Sequence, residues 1–193
     1  MPGKLILASS SPRRRGLLSS LDLNFKAVPA QATEVPCPHE TPRDFAMRVA
    51  ERKARSVGER HPDAWIIGAD TVVTVDGTIL GKPRGKAEAK QMLRQLSGKE
   101  HLVITGYALV RLAEGKMVRG AEETRVKVKT LEEDEIDWYI NTGEPFDKAG
   151  GYAIQGKAAF MIEWVQGSYT NVVGLPLCQL VRLLREQGII ETF

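Results

Sequence analysis

The feature that most constrains the fold of this 193-residue chain is the run from Trp65 to Val75, WIIGADTVVTV, which ends on Asp76-Gly77 before Thr78-Ile79-Leu80. β-Branched and aromatic residues at this density predict a strand, and Asp-Gly is the preferred dipeptide of a two-residue hairpin turn. Asp70 interrupts an otherwise apolar strand. Aspartate is depleted in strands, and burying its charge without a partner is costly. A cation or metal ion is therefore expected near Asp70; the structural alternative is a β-bulge at which its carboxylate bonds backbone amides.

The rest of the chain alternates strands with helices. Lys4 to Ala8 reads as a short buried strand, and Ser11-Pro12 opens a helix bearing Leu17, Leu18 and Leu21, with serine as cap and proline in the first turn. A strand over Phe25 to Val28 leads through a proline-rich loop to Thr41-Pro42-Arg43-Asp44. Behind that cap, Phe45, Val49 and Lys53 recur at helical spacing, so Lys53 shares a face with buried residues. Lys86 to Leu96 carries Met92, Leu93 and Leu96 on one face and meets a stop at Gly98. Leu102 to Leu112 and Met117 to Lys129 read as an antiparallel pair. Thr130 and Glu133 form a capping-box pattern for a helix through Ile136, Tyr139 and Ile140. A glycine-rich loop, Gly143 to Gly156, precedes a strand from Ala158 to Val165, a second loop from Gly167 to Gly174, and a last helix with Leu177, Leu180, Val181 and Leu184. Helices between strands, together with hairpins, imply an α/β fold in one domain over residues 1–193: a mixed sheet flanked by helices.

Charge and cysteine content narrow the function. Twenty-seven basic against 24 acidic residues leave a net charge of +3, too near balance to imply a specific nucleic-acid partner. Cys37 and Cys178 are far apart in sequence, which suggests neither a disulfide framework nor a CxxC metal site and fits a reducing compartment. Every apolar run is broken well before the ~20 residues of a membrane span. A soluble cytoplasmic protein is expected.

Four segments carry candidate chemistry. Ser9-Ser10-Ser11-Pro12-Arg13-Arg14 joins a strand to a helix N-terminus, where free N–H groups, hydroxyls and guanidinium forks favour a phosphate. Gly68-Ala69-Asp70-Thr71 brings the strand carboxylate. Gly81-Lys82-Pro83 follows the hairpin and, with Lys53, offers further cations; Glu34 is an acidic candidate to join Asp70 in holding a divalent ion. The loop Glu144 to Gly156 mixes glycines, charges and aromatics in a way that suits close backbone approach to a ligand. Gly151 to Lys157 spells GxxxxGK, but Ala158 stands where a P-loop needs Ser or Thr, so that reading is rejected. His39, His61 and His101 lack zinc-ligand spacing, and no dinucleotide fingerprint follows the first strand.

Taken together, these segments and Gly167 to Pro176 resemble, in order, the motifs of the Maf family of nucleotide pyrophosphatases. The resemblance implies a fold similar to inosine-triphosphate pyrophosphatases, with two lobes and a central cleft. It places the proton acceptor on Asp70 and the three specificity positions on Arg13, Thr71 and Gln155, matching the subfamily that hydrolyses dTTP and UTP to the monophosphate and pyrophosphate. The subfamily that takes 7-methyl-GTP instead has tryptophan after the first motif's proline and an acidic residue at the Gln155 position. On this reading a magnesium or manganese ion is held by Asp70 and Glu34, and Ser11, Arg14, Lys53 and Lys82 join Arg13 in binding phosphate. The implied partners are nucleoside triphosphates and a second copy of the chain. A nucleotide-binding regulator of septum formation, without turnover, is the alternative that the family's name raises; a purine pyrophosphatase is disfavoured by Arg13 and Gln155.

Overall fold

The structure, a computed structural model, describes residues 4–32 and 35–191. In chain order its main elements are β1 (Leu5–Leu7), α1 (Pro12–Ser19), β2 (Phe25–Ala27), α2 (Pro42–Gly58), β3 (Trp65–Val75), β4 (Thr78–Leu80), α3 (Lys86–Leu96), β5 (Glu100–Arg111), β6 (Lys116–Val128), α4 (Glu133–Asn141), β7 (Ile162–Gln166), α5 (Tyr169–Val173) and α6 (Leu177–Glu186). Among the described residues the strands form a mixed sheet in the order β2-β1-β3-β5-β6-β7, with β4 paired to β3. The chain divides into two compact units, the first comprising Met1–Asp70, Thr105–Glu122 and Gly174–Phe193, the second Thr71–Ile104 and Glu123–Val173.

In the first unit β1 runs parallel to both β2 and β3, with Leu5 opposite Phe25 and Trp65. The period of two sends alternate residues to opposite faces. Leu5, Leu7 and Ile67 pack against Leu18 of α1 and Leu180 and Leu184 of α6. Ile6, Ala8, Ile66 and Ala108 pack against Ala50, Ala54 and Val57 of α2. Helix α2 starts at Thr41, whose Oγ1 accepts from Asp44 N at 3.1 Å. It lies close to the sheet because two strand positions beneath it have no side chain. A Cβ on Gly68 would stand 2.1 Å from the Ala50 carbonyl oxygen, and one on Gly106 2.3 Å from that of Ala46. Backbone meets backbone at these points.

In the second unit the β3–β4 hairpin turns as its Asp-Gly predicts, with left-handed φ at both Asp76 (49°) and Gly77 (76°). Val73, Val103, Val126, Leu93, Ile136 and Tyr139 are among its buried core. Three expectations are corrected here. The strand expected over Ala158 to Val165 begins only at Ile162; Lys157–Met161 is a 3₁₀ turn. Ala158 and Met161 are both buried, and the 3₁₀ geometry aligns residues three apart on one side, which an alternating strand cannot do. The loop from Gly167 to Gly174 contains the short helix α5, started by the Ser168 hydroxyl accepting from Asn171 N at 3.2 Å. The capping box of α4 is formed by Glu132 and Glu135 rather than Thr130 and Glu133, the Glu135 carboxylate accepting from Glu132 N at 3.0 Å. Leu131 decides between them: it is buried, and its N–H is taken by the Ser97 hydroxyl at 2.8 Å, so the helix starts after it.

Cys37 and Cys178 are free thiols at exposed positions. Among the described residues no helix is long and apolar enough to cross a membrane.

Candidate active site

The order β2-β1-β3 makes a topological switch point in the first unit. From β1 the chain crosses through α1 to β2 on one side, then through α2 to β3 on the other, and the two helices cover opposite faces. The connection that leaves β1 and the one that enters β3 therefore lie on opposite faces, and in open α/β sheets ligands bind beside the carboxyl ends of strands at such a switch point. Leu7 lies opposite Ile67, and Ala8 N donates to the Ile67 carbonyl at 2.7 Å. Continued past Leu7, that register sets Ser9 and Ser10 level with Ala69 and Asp70. The serine segment thus leaves β1 beside the Asp70 segment, which lies within β3.

The serine segment ends in the N-terminus of α1. First-turn amides of a helix have no acceptor one turn earlier and must find one elsewhere; here Arg14 N donates to Ser11 Oγ at 3.4 Å. Ser9 is buried, and its Oγ accepts from Ser11 N at 3.1 Å, which shapes the turn. Arg13 and Arg14 are half-buried on the first turn of the helix. Arg14 also has a structural task that its motif does not reveal, because its Nε donates to the Gly174 carbonyl at 2.7 Å.

Asp70 shares parity along β3 with Ile66 and Gly68, which turns it toward α2. It is 6% exposed, and Lys53 Nζ donates to its Oδ1 at 2.7 Å. The expected cation is thus present, on a strand that runs from Trp65 to Val75. Local sequence explains the meeting. Gly68 lets α2 settle onto the strand at Ala50 and Ala54, and Lys53 sits next to Ala54 on the same turn. A buried ion pair contributes little net stability, since desolvation offsets most of the attraction, yet losing either partner leaves an uncompensated charge.

The remaining candidates are placed as follows. Glu34 lies outside the described residues. Thr71, half-buried, opens the second unit directly after Asp70, and Lys82 is exposed between β4 and α3. Gln155 is exposed in the turn before the 3₁₀ segment. Within the second unit two motifs far apart in sequence are tied together: the Gly81 carbonyl, beside Lys82, accepts from Gly150 N at 3.0 Å. Lys148 is directed inward, donating to the Glu144 carbonyl at 2.6 Å, so it braces the loop. Among the described residues no group of three or more His, Cys, Asp or Glu side chains gathers as a metal cage.

Comparison with known proteins decides the family. The model of the Maf-like protein family matches residues 4–187. The chain belongs to the Maf family. Among its relatives is a dTTP/UTP pyrophosphatase of Syntrophotalea carbinolica, 50% identical over 192 residues, covering 98% of this chain and 87% of that one. Another of that name, from Citrifermentans bemidjiense, is 50% identical over 186 residues and covers 96% of each chain. A solved HAM1 protein from Coxiella burnetii shares 15% identity at a TM-score of 0.45, over 65% of this chain and 72% of its own.

One buried polar pair of this Maf chain is not announced by the sequence, although Tyr152 lies within the glycine-rich loop. His101 is 3% exposed, and its Nε2 lies 2.6 Å from the Tyr152 hydroxyl, the rings meeting edge to face. No spacing announces a pair 51 residues apart; the weak signal is a histidine at an inward strand position. Burial pushes the His101 imidazole down to about 4 and the Tyr152 phenol up. The unfolded chain protonates this histidine near 6.5, so stability is full above that pH and is lost as pH falls toward 4. Between pH 7 and 4.5, wild type should lose about 2 kcal/mol more than His101→Gln, which has no proton to take up. Denaturant melts of both at the two pH values test this, and equal losses would show that the imidazole does not titrate as its burial requires.

Proposed function

We propose that this Maf chain hydrolyses dTTP and UTP to the nucleoside monophosphate and pyrophosphate. The observation that carries the assignment is the Lys53–Asp70 pair midway along β3, level with the serine turn that follows β1. Relatives named for this activity match along nearly the whole chain. Ser11, Arg13 and Arg14 at the start of α1 are suited to triphosphate oxygens, with hydroxyl, helix amides and guanidinium groups all donating. Lys82 is assigned to phosphate on the family resemblance. Asp70 accepts the proton of the water that attacks the α-phosphorus, and pyrophosphate leaves. Donors set in place before the reaction, and a proton acceptor held by Lys53, are what that transition state needs.

A divalent cation belongs to this reading. Ions of the magnesium class keep several waters and take one or two carboxylates together with substrate phosphates, rather than a full protein cage. One buried carboxylate and the absence of a preformed cage among the described residues fit an ion that arrives with the nucleotide. Asp70 would hold it, with Glu34 as the second acidic group on the family resemblance. Such an ion neutralises triphosphate charge. Magnesium and manganese both suit oxygen donors. Thr71 and Gln155 are assigned to base selection, again on the resemblance, as is a homodimer; a cytoplasmic location rests on the cysteine content and the short apolar runs.

The test is product analysis. UTP with magnesium should yield UMP and pyrophosphate in equal amounts, and EDTA should stop the reaction. UDP or orthophosphate as first product would place the cleavage at another phosphorus and refute the assignment.

A further inference from the structure

Uracil and thymine present an N3–H donor beside the O4 acceptor, and a glutamine amide can meet both. An amide also flips, offering the reversed pattern to cytosine, so what the backbone decides is whether the Gln155 amide reaches the pairing edge of the base at all, and with it the preference for uracil over guanine. Sequence offers nothing that fixes this backbone; the structure does.

Gln155 stands exposed in a short segment whose neighbours are tied down on both sides. Tyr139, fully buried on α4, donates its hydroxyl to Glu144 Oε1 at 3.2 Å. The other carboxylate oxygen of Glu144 accepts from Lys157 N at 3.1 Å. The tyrosine–glutamate pair therefore sets two anchors, one on α4 and a second on the backbone at Lys157, two residues after Gln155. Gly156, between the second anchor and Gln155, has φ 113° and ψ −154°, and a Cβ there would stand 2.8 Å from Glu144 Oε1. Only glycine lets the carboxylate lie against the chain at that point. Tyr152, hydrogen-bonded to buried His101, adds a third anchor just upstream. Glu144 is itself set by its backbone, its N–H donating to Thr142 Oγ1 at 3.2 Å at the end of α4.

We propose that Tyr139 and Glu144 are positioning residues for base recognition, a clamp that holds the backbone of Gln155 where its amide reaches the pairing edge of uracil and thymine. The proposal rests on the assignment of Gln155 to base selection made above. The clamp touches neither phosphate nor the attacking water. Its loss should therefore act on nucleotide affinity and choice, not on the chemical step.

The test compares kcat and KM for UTP, dTTP, CTP and GTP across four variants. Tyr139→Phe and Glu144→Ala should raise KM for UTP and lower the UTP:GTP ratio of kcat/KM at least fivefold, with kcat for UTP within about twofold of wild type. Glu144→Gln keeps an oxygen for Lys157 N–H and an amide for the tyrosine oxygen, so it should restore most of the ratio. A structural role alone would lower melting temperature or kcat and leave the ratio where it was; that pattern in Tyr139→Phe, which preserves the buried ring, overturns the proposal. Gln155→Glu is the reference for the underlying assignment and should lower the UTP:GTP ratio. If it does and the clamp variants leave selectivity unchanged, the clamp fails and the assignment survives. If it does not, Gln155 does not select the base and both fall.

Discussion

Substituting Asp70 with asparagine is expected to lower kcat for UTP by about 10²- to 10⁴-fold, the usual worth of a positioned general base. The amide keeps the shape of the carboxylate but cannot accept the proton, and it binds a divalent ion far less well. The fold should survive, because asparagine still offers an oxygen to Lys53 Nζ, the donor now 2.7 Å from Oδ1. It cannot balance the lysine charge, however, and the Lys53 side chain is only 12% exposed. A stability loss of about 1–3 kcal/mol is therefore expected, enough to move a melting curve but not to unfold the protein. Circular dichroism at the assay temperature separates lost chemistry from lost structure. A folded Asn variant with turnover within threefold of wild type would remove Asp70 from the role of proton acceptor.

How far the sequence anticipates this site depends on the range of the interactions involved. Local patterns were readable. Asp76-Gly77 specified its hairpin, Ser11-Pro12 and Thr41-Pro42 their helix starts, and the spacing of Phe45, Val49 and Lys53 the face on which the lysine lies. Asp70 stood out because a carboxylate inside an apolar strand needs a partner, and that partner is Lys53. Sequence could not show that Gly68, two positions before Asp70, is where α2 comes down, since the closeness follows from the packing of two elements. The switch point was likewise out of reach, because it rests on the order β2-β1-β3, and strand order is not a local property. The glycine-rich loop shows the same limit at shorter range. Its composition marked it as a ligand loop, yet the contacts of Glu144 with Tyr139 and Lys157 depend on a chain reversal at Gly156 that permissive glycine allows without specifying.

The largest expected effect on stability lies at that glycine beneath α2. In Gly68→Ala the new methyl would stand 2.1 Å from Ala50 O and 2.9 Å from Ala54 N, whereas an ordinary contact needs 3.4 Å or more. Both obstructing atoms are helix backbone, so no side-chain rotation relieves the clash, and α2 must retreat from the strand by about 1 Å. Overpacking of this kind typically costs about 1–3 kcal/mol and occasionally more. The upper end is expected here, because Ala50, Ala54 and Val57 leave their packing together. For a chain of this size each kcal/mol lowers the melting temperature by roughly 2–4 °C, so a fall of about 6–12 °C is expected. Activity should fall further than stability explains. Lys53 moves with the helix, and a bond now 2.7 Å long does not outlast a displacement that carries it past 3.5 Å. kcat/KM for UTP should therefore drop at least tenfold at a temperature where the variant is fully folded. Gly16→Ala is the control for stability: it lies in α1 with nothing within 4 Å of the place its methyl would occupy, and alanine there should be neutral or stabilising by about 0.5–1 kcal/mol. Gly106→Ala pushes the same helix at Ala46 and should lower the melting temperature in the same way. If Gly68→Ala melts within 2 °C of wild type, α2 does not rest on β3 at this glycine, and Gly68 is not what brings Lys53 to Asp70.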